Sequence, residues 1–213
     1  MDTTPMEMAE MAEVPDSAGV YQLFHNGRAV FAGRAERSLH RRIIQNHRKL
    51  IGRQNISIEE MAFRFVPMDA PLVDIAPERF IIRDTDHPWN QMGFGGKDPG
   101  RQRDRTALAS SHFDLQYPID LDWIIQHEIT GESLPQLMQA IRDSLPYMFR
   151  YGRDYPDQSV KNFRIASQTP AREAFAALSE GPLRGWQITA KPGYVIAYEE
   201  SCDYPQTLAV FRQ

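Results

Sequence analysis

Four polar side chains in the N-terminal half of the chain belong to types that phosphate chemistry uses. They are a phenol, a guanidinium, a carboxylate and a carboxamide, carried by Tyr21, Arg42, Glu78 and Asn90. Hydrolysis of a phosphate ester needs an activated water, positive charge at the phosphate and help for the leaving oxygen. Arginine binds phosphate oxygens bidentately, and a carboxylate is a preferred ligand of Mg²⁺.

Each of these residues also has an ordinary structural interpretation. Tyr21 is an acceptable strand aromatic, Glu78 suits the positive end of a helix, and Asn90 after Pro-Trp suits a turn. A functional interpretation therefore requires the whole set, in order, on suitable elements.

A β-hairpin is predicted to hold the first of these residues. In GVYQLFHNGRAVFAG, residues 19–33, Asn26-Gly27 separates two runs rich in β-branched and aromatic residues. This is the strongest short-range signal for a hairpin. A third strand is predicted for MAFRFVPM, residues 61–68, which alternates in hydrophobicity and ends at Pro67.

Two helices are predicted to complete this region. SLHRRIIQNHRKLIG, residues 38–52, favours a helix with Ser38 as its N-cap and Gly52 at its end. Pro77 suits the first position of a second helix that runs to about residue 84. The order β-β-α-β-α predicts an α+β fold with a three-stranded antiparallel sheet flanked by helices.

The first helix is expected to be amphipathic. A helical wheel places Arg41, Gln45 and Arg48 opposite the apolar arc. Arg42 and Asn46 fall together on the border of that arc, and His47 falls inside it.

The charges are distributed unevenly along the chain. The protein has a net charge of −4 and a pI of about 5.9, which taken alone argues against a nucleic-acid partner. Yet residues 28–53 hold eight basic residues against one acid, and residues 97–105 hold four against two. Local clusters attract a polyanion more than the total charge does, although a solvated helix face is the alternative interpretation.

The composition is that of a globular protein. The single Cys202 excludes an intrachain disulfide and fits a cytoplasmic location, and no apolar run is long enough to cross a membrane. The first 16 residues carry five acids and no base. This pattern favours a frayed acidic tail over a secretory signal.

The ordered motifs resemble the GIY-YIG nuclease family over about residues 14–105. Gly19-Val20-Tyr21 and Phe31-Ala32-Gly33 match its two tripeptides, and Arg42, Glu78 and Pro88-Trp89-Asn90 follow in family order. WNQMGFGGKDPGRQR is similar to the segment W-N-x-x-x-G-F-G-x-x-D-P-G-x-x-R of GIY-YIG type II restriction endonucleases, shortened by one residue after Asn90.

The resemblance implies a Mg²⁺-dependent endodeoxyribonuclease, with Mn²⁺ as a substitute metal. Tyr21 would take a proton from the attacking water, Arg42 would hold the scissile phosphate, and Glu78 would be the protein ligand of the metal. Asn90 would fix the adjoining loop, and His47 is a further catalytic candidate. Phosphates of the DNA would be bound by a basic set: Arg34, Arg41, Lys97, Arg101 and Arg103.

The implied partners follow from that activity. The substrate would be double-stranded DNA, and no membrane partner is expected. One domain has one active site, so cutting both strands favours a homodimer.

Two positions depart from the family pattern. Phe31 lacks the hydroxyl of the second family tyrosine, and Asn46 stands one turn after Arg42, where the family has His or Tyr. Three hypotheses are therefore open: a restriction endonuclease, a structure-specific or unspecific nuclease of repair or toxin type, and a DNA-binding protein whose catalysis has decayed.

The predicted domains are a disordered acidic tail (1–14), a nuclease domain (15–115) and a C-terminal α+β region (116–213). The glycine-rich basic loop 91–105 is expected either to contact DNA or to serve as a flexible connector. In the C-terminal region, helices are predicted over 121–130, 134–145 and 171–180, and strands within 186–200 and 208–213.

Overall fold

The computed structural model describes residues 3–68, 86–95, 101–152, 160 and 162–213. The architecture is mixed α+β, as predicted. By internal contacts the chain divides into a first unit, 1–97 with 110–116, and a second unit, 98–109 with 117–213. Segment 98–109 thus groups with the second unit, whereas the sequence placed it in the first domain. Within the described ranges, no helix has the length and apolar character that a membrane crossing requires.

The first unit is built on a four-stranded antiparallel sheet. Its strands are β1 (Thr4–Pro5), β2 (Gly19–His25), β3 (Arg28–Ala35) and β4 (Met61–Pro67), in the spatial order β1-β4-β2-β3. The predicted hairpin and third strand are confirmed. Asn26 and Gly27 have φ angles of 50° and 74°, because the tight hairpin turn requires the left-handed region at both positions.

The N-terminal segment is ordered, which differs from the expected frayed tail. Thr4 pairs with Phe63 across β1 and β4, and helix α1 follows at Met8–Ala12. Met6 and Met11 are 1% and 0% exposed. Burial of these two apolar side chains, together with strand pairing, outweighs the local excess of acidic residues.

Helix α2 spans Leu39–Ile51, and its predicted ends are confirmed. The Ser38 hydroxyl accepts a hydrogen bond from the backbone N–H of Arg41 at 3.0 Å, and Gly52 is the C-cap. The buried stripe differs from the helical wheel, since it consists of Leu39, Ile43, Asn46 and Leu50. Asn46 is therefore inside the unit and His47 lies beside the stripe, half-buried.

An aromatic cluster packs against β3 in the first unit. Trp89 lies on the short helix α3 (Pro88–Gln91), with Phe94 after it. Ring centroids of Phe94 lie 5.2 Å from Trp89 and 4.6 Å from Phe113, and all three side chains are buried. Phe113 is the first residue of helix α5 (Phe113–Gln116), which also belongs to the first unit. Helix α4 (Arg101–Asp104) lies between these segments in sequence and belongs to the second unit.

The second unit has a four-stranded sheet and two longer helices. Helices α6 (Leu134–Ser144) and α7 (Ala171–Glu180) confirm two predictions. The strands of the sheet are β7 (Met148–Tyr151), β10 (Gln187–Lys191), β11 (Tyr194–Tyr198) and β12 (Ala209–Phe211). Their spatial order is β12-β10-β11-β7, where β7 is parallel to β11 and the other pairs are antiparallel.

The helix predicted over 121–130 is wrong. Two short strands occur there, β5 (Ile124–Ile125) and β6 (Ile129–Thr130). They pair with β9 (Thr169–Pro170) and β8 (Arg164–Ile165), respectively. The β-branched residues of this segment suit strands. Because the partner strands are remote in sequence, the local sequence carried no signal of the strand pairing.

Candidate active site on the N-terminal hairpin

Tyr21 is buried at the centre of the first sheet. Its side chain is 1% exposed, and its hydroxyl oxygen accepts a hydrogen bond from Asn46 Nδ2 at 2.9 Å. Asn46 is itself 8% exposed. This bond joins β2 to α2 and gives the buried carboxamide a partner.

The two motif glycines are required by close approach. Gly33 faces Tyr21 across the hairpin, and a Cβ at Gly33 would lie 2.6 Å from the tyrosine hydroxyl oxygen. A Cβ at Gly19 would collide with the carbonyl oxygen of Val66 on the neighbouring strand. Both positions thus have a steric reason for glycine, independent of any catalytic role.

Phe31 occupies an apolar environment beside the tyrosine. Its ring centroid lies 6.0 Å from that of Tyr21 and 5.0 Å from that of Phe94. The tip of the ring lies 2.9 Å from the position that a Cβ at Gly95 would occupy. Phe31 therefore packs the start of the glycine-rich loop onto the hairpin.

Asn90 binds the backbone of the second tripeptide. Its Oδ1 accepts from the N–H of Ala32 at 2.9 Å, and its Nδ2 donates to the carbonyl of Ala32 at 2.8 Å. These two hydrogen bonds link the loop that carries Asn90 to the second tripeptide. Because both ends of the amide are engaged there, Asn90 acts as a positioning residue in this structure.

The predicted basic residues of this unit face solvent. Arg42 is exposed one helical turn before Asn46, and its Nη1 donates to Gln45 Oε1 at 3.5 Å. Arg41 is exposed on the same helix, and Arg34 forms an exposed ion pair with Glu36 at 3.7 Å. These side chains are accessible to a polyanion.

His47 follows Asn46 on α2 but lies outside the buried stripe that contains Asn46. Partial burial, aided by the charge of Arg48, lowers the pKa of His47 below its usual 6.5. The imidazole is therefore neutral at pH 7.

The described part of the first unit does not include four further predicted site residues. Glu78 and Lys97 lie outside the described residues. Arg101 and Arg103 belong to the second unit, where their guanidinium groups lie over the rings of Tyr198 and Tyr194 at 4.3 and 5.0 Å.

Sequence reasoning missed a polar network on the other side of β2. Gln22 is 2% exposed, and its carboxamide hydrogen-bonds His87 Nε2 at 2.7 Å and accepts from Arg64 Nε at 2.5 Å. A polar residue within an otherwise apolar strand was the available signal. Lys49 was missed as well: it donates to the carbonyl of Phe94, with its ammonium 4.4 Å from the centroid of that ring.

The donor set is compatible with a metal bound through few protein ligands. Within the ranges that the structure describes, no three His, Cys, Asp or Glu side chains are grouped so as to hold a metal ion. Mg²⁺ commonly takes one or two carboxylates, with water and phosphate oxygens completing its shell. The described side chains therefore do not form a multi-ligand metal site such as that of structural zinc.

Compared with protein-family models and with curated proteins, the chain matches none at a significant level.

Proposed function

We propose that the protein is a Mg²⁺-dependent endodeoxyribonuclease of the GIY-YIG type that cuts duplex DNA as a restriction enzyme. The observation that carries this proposal is the hydrogen bond from Asn46 to Tyr21. Residues four apart on a helix lie on the same face, so this bond holds the phenol close to the turn from which Arg42 emerges. On this proposal the phenol and the exposed guanidinium act on one side of the hairpin.

The environments of Arg42, Asn46 and Asn90 support the roles proposed for them. Arg42 is exposed and can bind two oxygens of a scissile phosphate. Asn46 donates to the oxygen of Tyr21, and this contact persists when the phenol has lost its proton. Tyr21 would then accept a proton from water, while Asn90 holds the second tripeptide in place.

Glu78 would hold the Mg²⁺ ion, which supplies positive charge at the phosphate. The ion needs only one protein carboxylate, as argued above. A symmetric dimer would cut the two strands of a palindromic site, since each copy contributes one active site.

A second candidate function is DNA binding without cleavage. The low exposure of Tyr21 and the missing hydroxyl at Phe31 favour it, because a general base must reach the water that it activates. This hypothesis predicts binding that weakens with salt and no strand scission in Mg²⁺. A structure-specific or unspecific nuclease is the remaining variant, and its products differ from those of a restriction enzyme.

Cleavage of plasmid and phage DNA by the purified protein tests these functions. The variants are Glu78→Gln and Arg42→Gln, with Arg48→Gln as a matched control on another face of the same helix. We expect Mg²⁺-dependent discrete fragments from the native protein, and a loss of at least about 100-fold in rate for both site variants.

The pattern of products discriminates between the hypotheses. A Mg²⁺-dependent smear that both site variants abolish would support an unspecific nuclease. Salt-dependent DNA binding without any cleavage would overturn the nuclease proposal in favour of the DNA-binding protein. Cleavage that is unchanged by Glu78→Gln would overturn the proposed site.

A further inference from the structure

The second unit contains a cavity of about 770 Å³ that the proposed nuclease activity does not use. One wall is a face of α6, formed by Pro135, Gln139 and Arg142, which are four and three residues apart. The opposite wall is formed by β7 and the following residue, Met148–Gly152, together with Arg101 and Tyr198. All of these residues belong to one unit.

The lining of this cavity is cationic. Arg101, Arg142 and Arg150 contribute to it, and among the residues that the structure describes no acidic side chain lines it. The charge of Arg150 is offset by Asp104, to which its Nη2 donates. Asp104 is 1% exposed and also accepts a hydrogen bond from the Tyr194 hydroxyl at 2.7 Å. Arg150 is thus a fixed part of the wall, held by a buried carboxylate.

Two guanidinium groups remain to bind a ligand. Arg142 is exposed and makes no ion pair or hydrogen bond with any residue that the structure describes. Arg101 lies over the ring of Tyr198, 4.3 Å from its centroid, and hydrogen-bonds the hydroxyl of that tyrosine, which leaves its other N–H groups for an acceptor. With the charge of Arg150 offset, the lining has an excess of about two positive charges.

We propose that this cavity binds a phosphate monoester carrying an organic group of nucleoside size. A phosphate monoester bears up to two negative charges and offers several oxygens, which match two guanidinium groups. Inorganic phosphate would occupy a small part of the space, whereas small organic ligands commonly fill cavities of about 300–1,000 Å³. The exposed apolar side chains of Pro135 and Met148 supply the surface for the organic group.

Two sources carry this chemistry: a free mononucleotide and the 5′-phosphorylated end of a DNA strand. The site does not depend on the proposed catalytic residues, because its lining lies in the second unit and involves neither Tyr21 nor Glu78; it shares only Arg101 with the basic set predicted to contact DNA.

Calorimetric titration of the full chain, with EDTA present to prevent hydrolysis, tests the proposal. The probes are dAMP, inorganic phosphate, and a single-stranded dodecamer with and without a 5′-phosphate. The variants are Arg142→Gln and Arg101→Gln, and Arg184→Gln is the control because it is an exposed arginine of the same unit outside the cavity lining. Circular dichroism and thermal unfolding check that each variant is folded.

We expect saturable binding of dAMP or of the 5′-phosphorylated strand, weakened about tenfold or more by each cavity substitution and unchanged by Arg184→Gln. Binding of dAMP identifies a free nucleotide as a source, and binding that requires the 5′-phosphate identifies a strand end. The proposal is overturned if neither probe saturates below about 10 mM, if inorganic phosphate binds as tightly as both, or if folded Arg142→Gln and Arg101→Gln bind like the native protein.

Discussion

The side-chain amide of Asn90 makes the two backbone hydrogen bonds to Ala32 that a neighbouring strand would otherwise make. Strand β3 is at the edge of its sheet, and the carboxamide of Asn90 pairs with both backbone groups of Ala32, at 2.9 and 2.8 Å. Ala32 is 2% exposed, so water cannot readily replace these bonds. The backbone N–H and carbonyl of Ala32, at the edge of the sheet, therefore have their hydrogen-bond partner in one side chain that is 58 residues away in sequence.

Replacing that side chain should destabilise the first unit. We expect Asn90→Ala to lower the free energy of unfolding by about 1–3 kcal/mol, because two buried backbone groups lose their partners. Asn90→Asp should also destabilise, since a carboxylate can accept from the N–H of Ala32 but cannot donate to its carbonyl. Urea denaturation followed by circular dichroism measures both effects.

The control for this prediction is Gln91→Ala, which changes the exposed neighbour on α3. It should alter the free energy of unfolding by less than about 0.5 kcal/mol. Equal stabilities for Asn90→Ala and Gln91→Ala would contradict the role assigned to the Asn90 amide.

The motif glycine at position 33 is expected to be intolerant of a methyl group. Gly33→Ala places a carbon 2.6 Å from the Tyr21 hydroxyl oxygen and 2.8 Å from a ring carbon of Phe31. Overpacking of this kind costs about 1–3 kcal/mol of unfolding free energy, and it should also displace the phenol from Asn46. Thermal denaturation measures the stability, and near-ultraviolet circular dichroism measures the change in the packing of the aromatic side chains, Tyr21 among them.

Gly27→Ala in the same hairpin provides a comparison. No atom lies within 4 Å of its added methyl group, but its φ of 74° makes alanine strained. Near-ultraviolet signals should therefore stay native in Gly27→Ala and change in Gly33→Ala. A native near-ultraviolet signal in Gly33→Ala would refute the close approach.

The buried ion pair of the first unit should contribute more to stability than an exposed one. Arg53 Nη1 lies 2.9 Å from Asp114 Oδ1, and both side chains are 3% exposed. Asp114→Asn removes the negative charge paired with a buried guanidinium and should lower the free energy of unfolding by about 3–5 kcal/mol.

The comparison is Glu36→Gln, which breaks the exposed pair with Arg34. It should change the free energy of unfolding by no more than about 1 kcal/mol. Chemical denaturation of both variants at one pH gives the difference, and equal effects would show that burial does not set the contribution of Arg53–Asp114.

His47 should make the protein less stable as the pH falls. Its pKa in the folded state is below the ordinary 6.5, so the unfolded chain takes up a proton first on acidification. Its contribution is therefore unchanged above about pH 6.5 and becomes destabilising as the pH falls from there to the folded pKa.

The variant His47→Gln tests this pH dependence, because it removes the titrating group. Unfolding free energies measured from pH 7.5 to 5 should fall less steeply in His47→Gln than in the native protein. Parallel slopes for the native protein and His47→Gln would mean that burial of His47 has no effect on its titration.

Short-range signals predicted most of the longer elements correctly. The Asn26-Gly27 turn, the Ser38 cap and the Gly52 terminus act within a few residues, so the sequence sufficed for β2, β3 and α2. The same holds for α6 and α7, whose apolar periodicity is strong. Residues 121–130 were assigned wrongly because their strand partners, near residues 164 and 170, are remote in sequence.

The candidate site was predictable in its residue types and only partly in its geometry. The helical wheel weighed apolar character alone and so placed His47 inward, but a hydrogen bond to Tyr21 compensates for burying Asn46. Likewise, nothing in the basic segment indicated that Arg101 and Arg103 stack on tyrosines of the second unit.

By itself, the sequence determined the hairpin, the capped helix and the order in which a phenol, a guanidinium and a carboxamide follow one another. Only the tertiary structure decided which polar groups form hydrogen bonds with each other: Asn46 with Tyr21, Asn90 with Ala32, and Arg150 with Asp104. The physical reason is the range of the forces involved. Turns and caps are fixed by neighbouring residues, whereas burial and the pairing of buried polar groups depend on the packing of segments far apart in the chain.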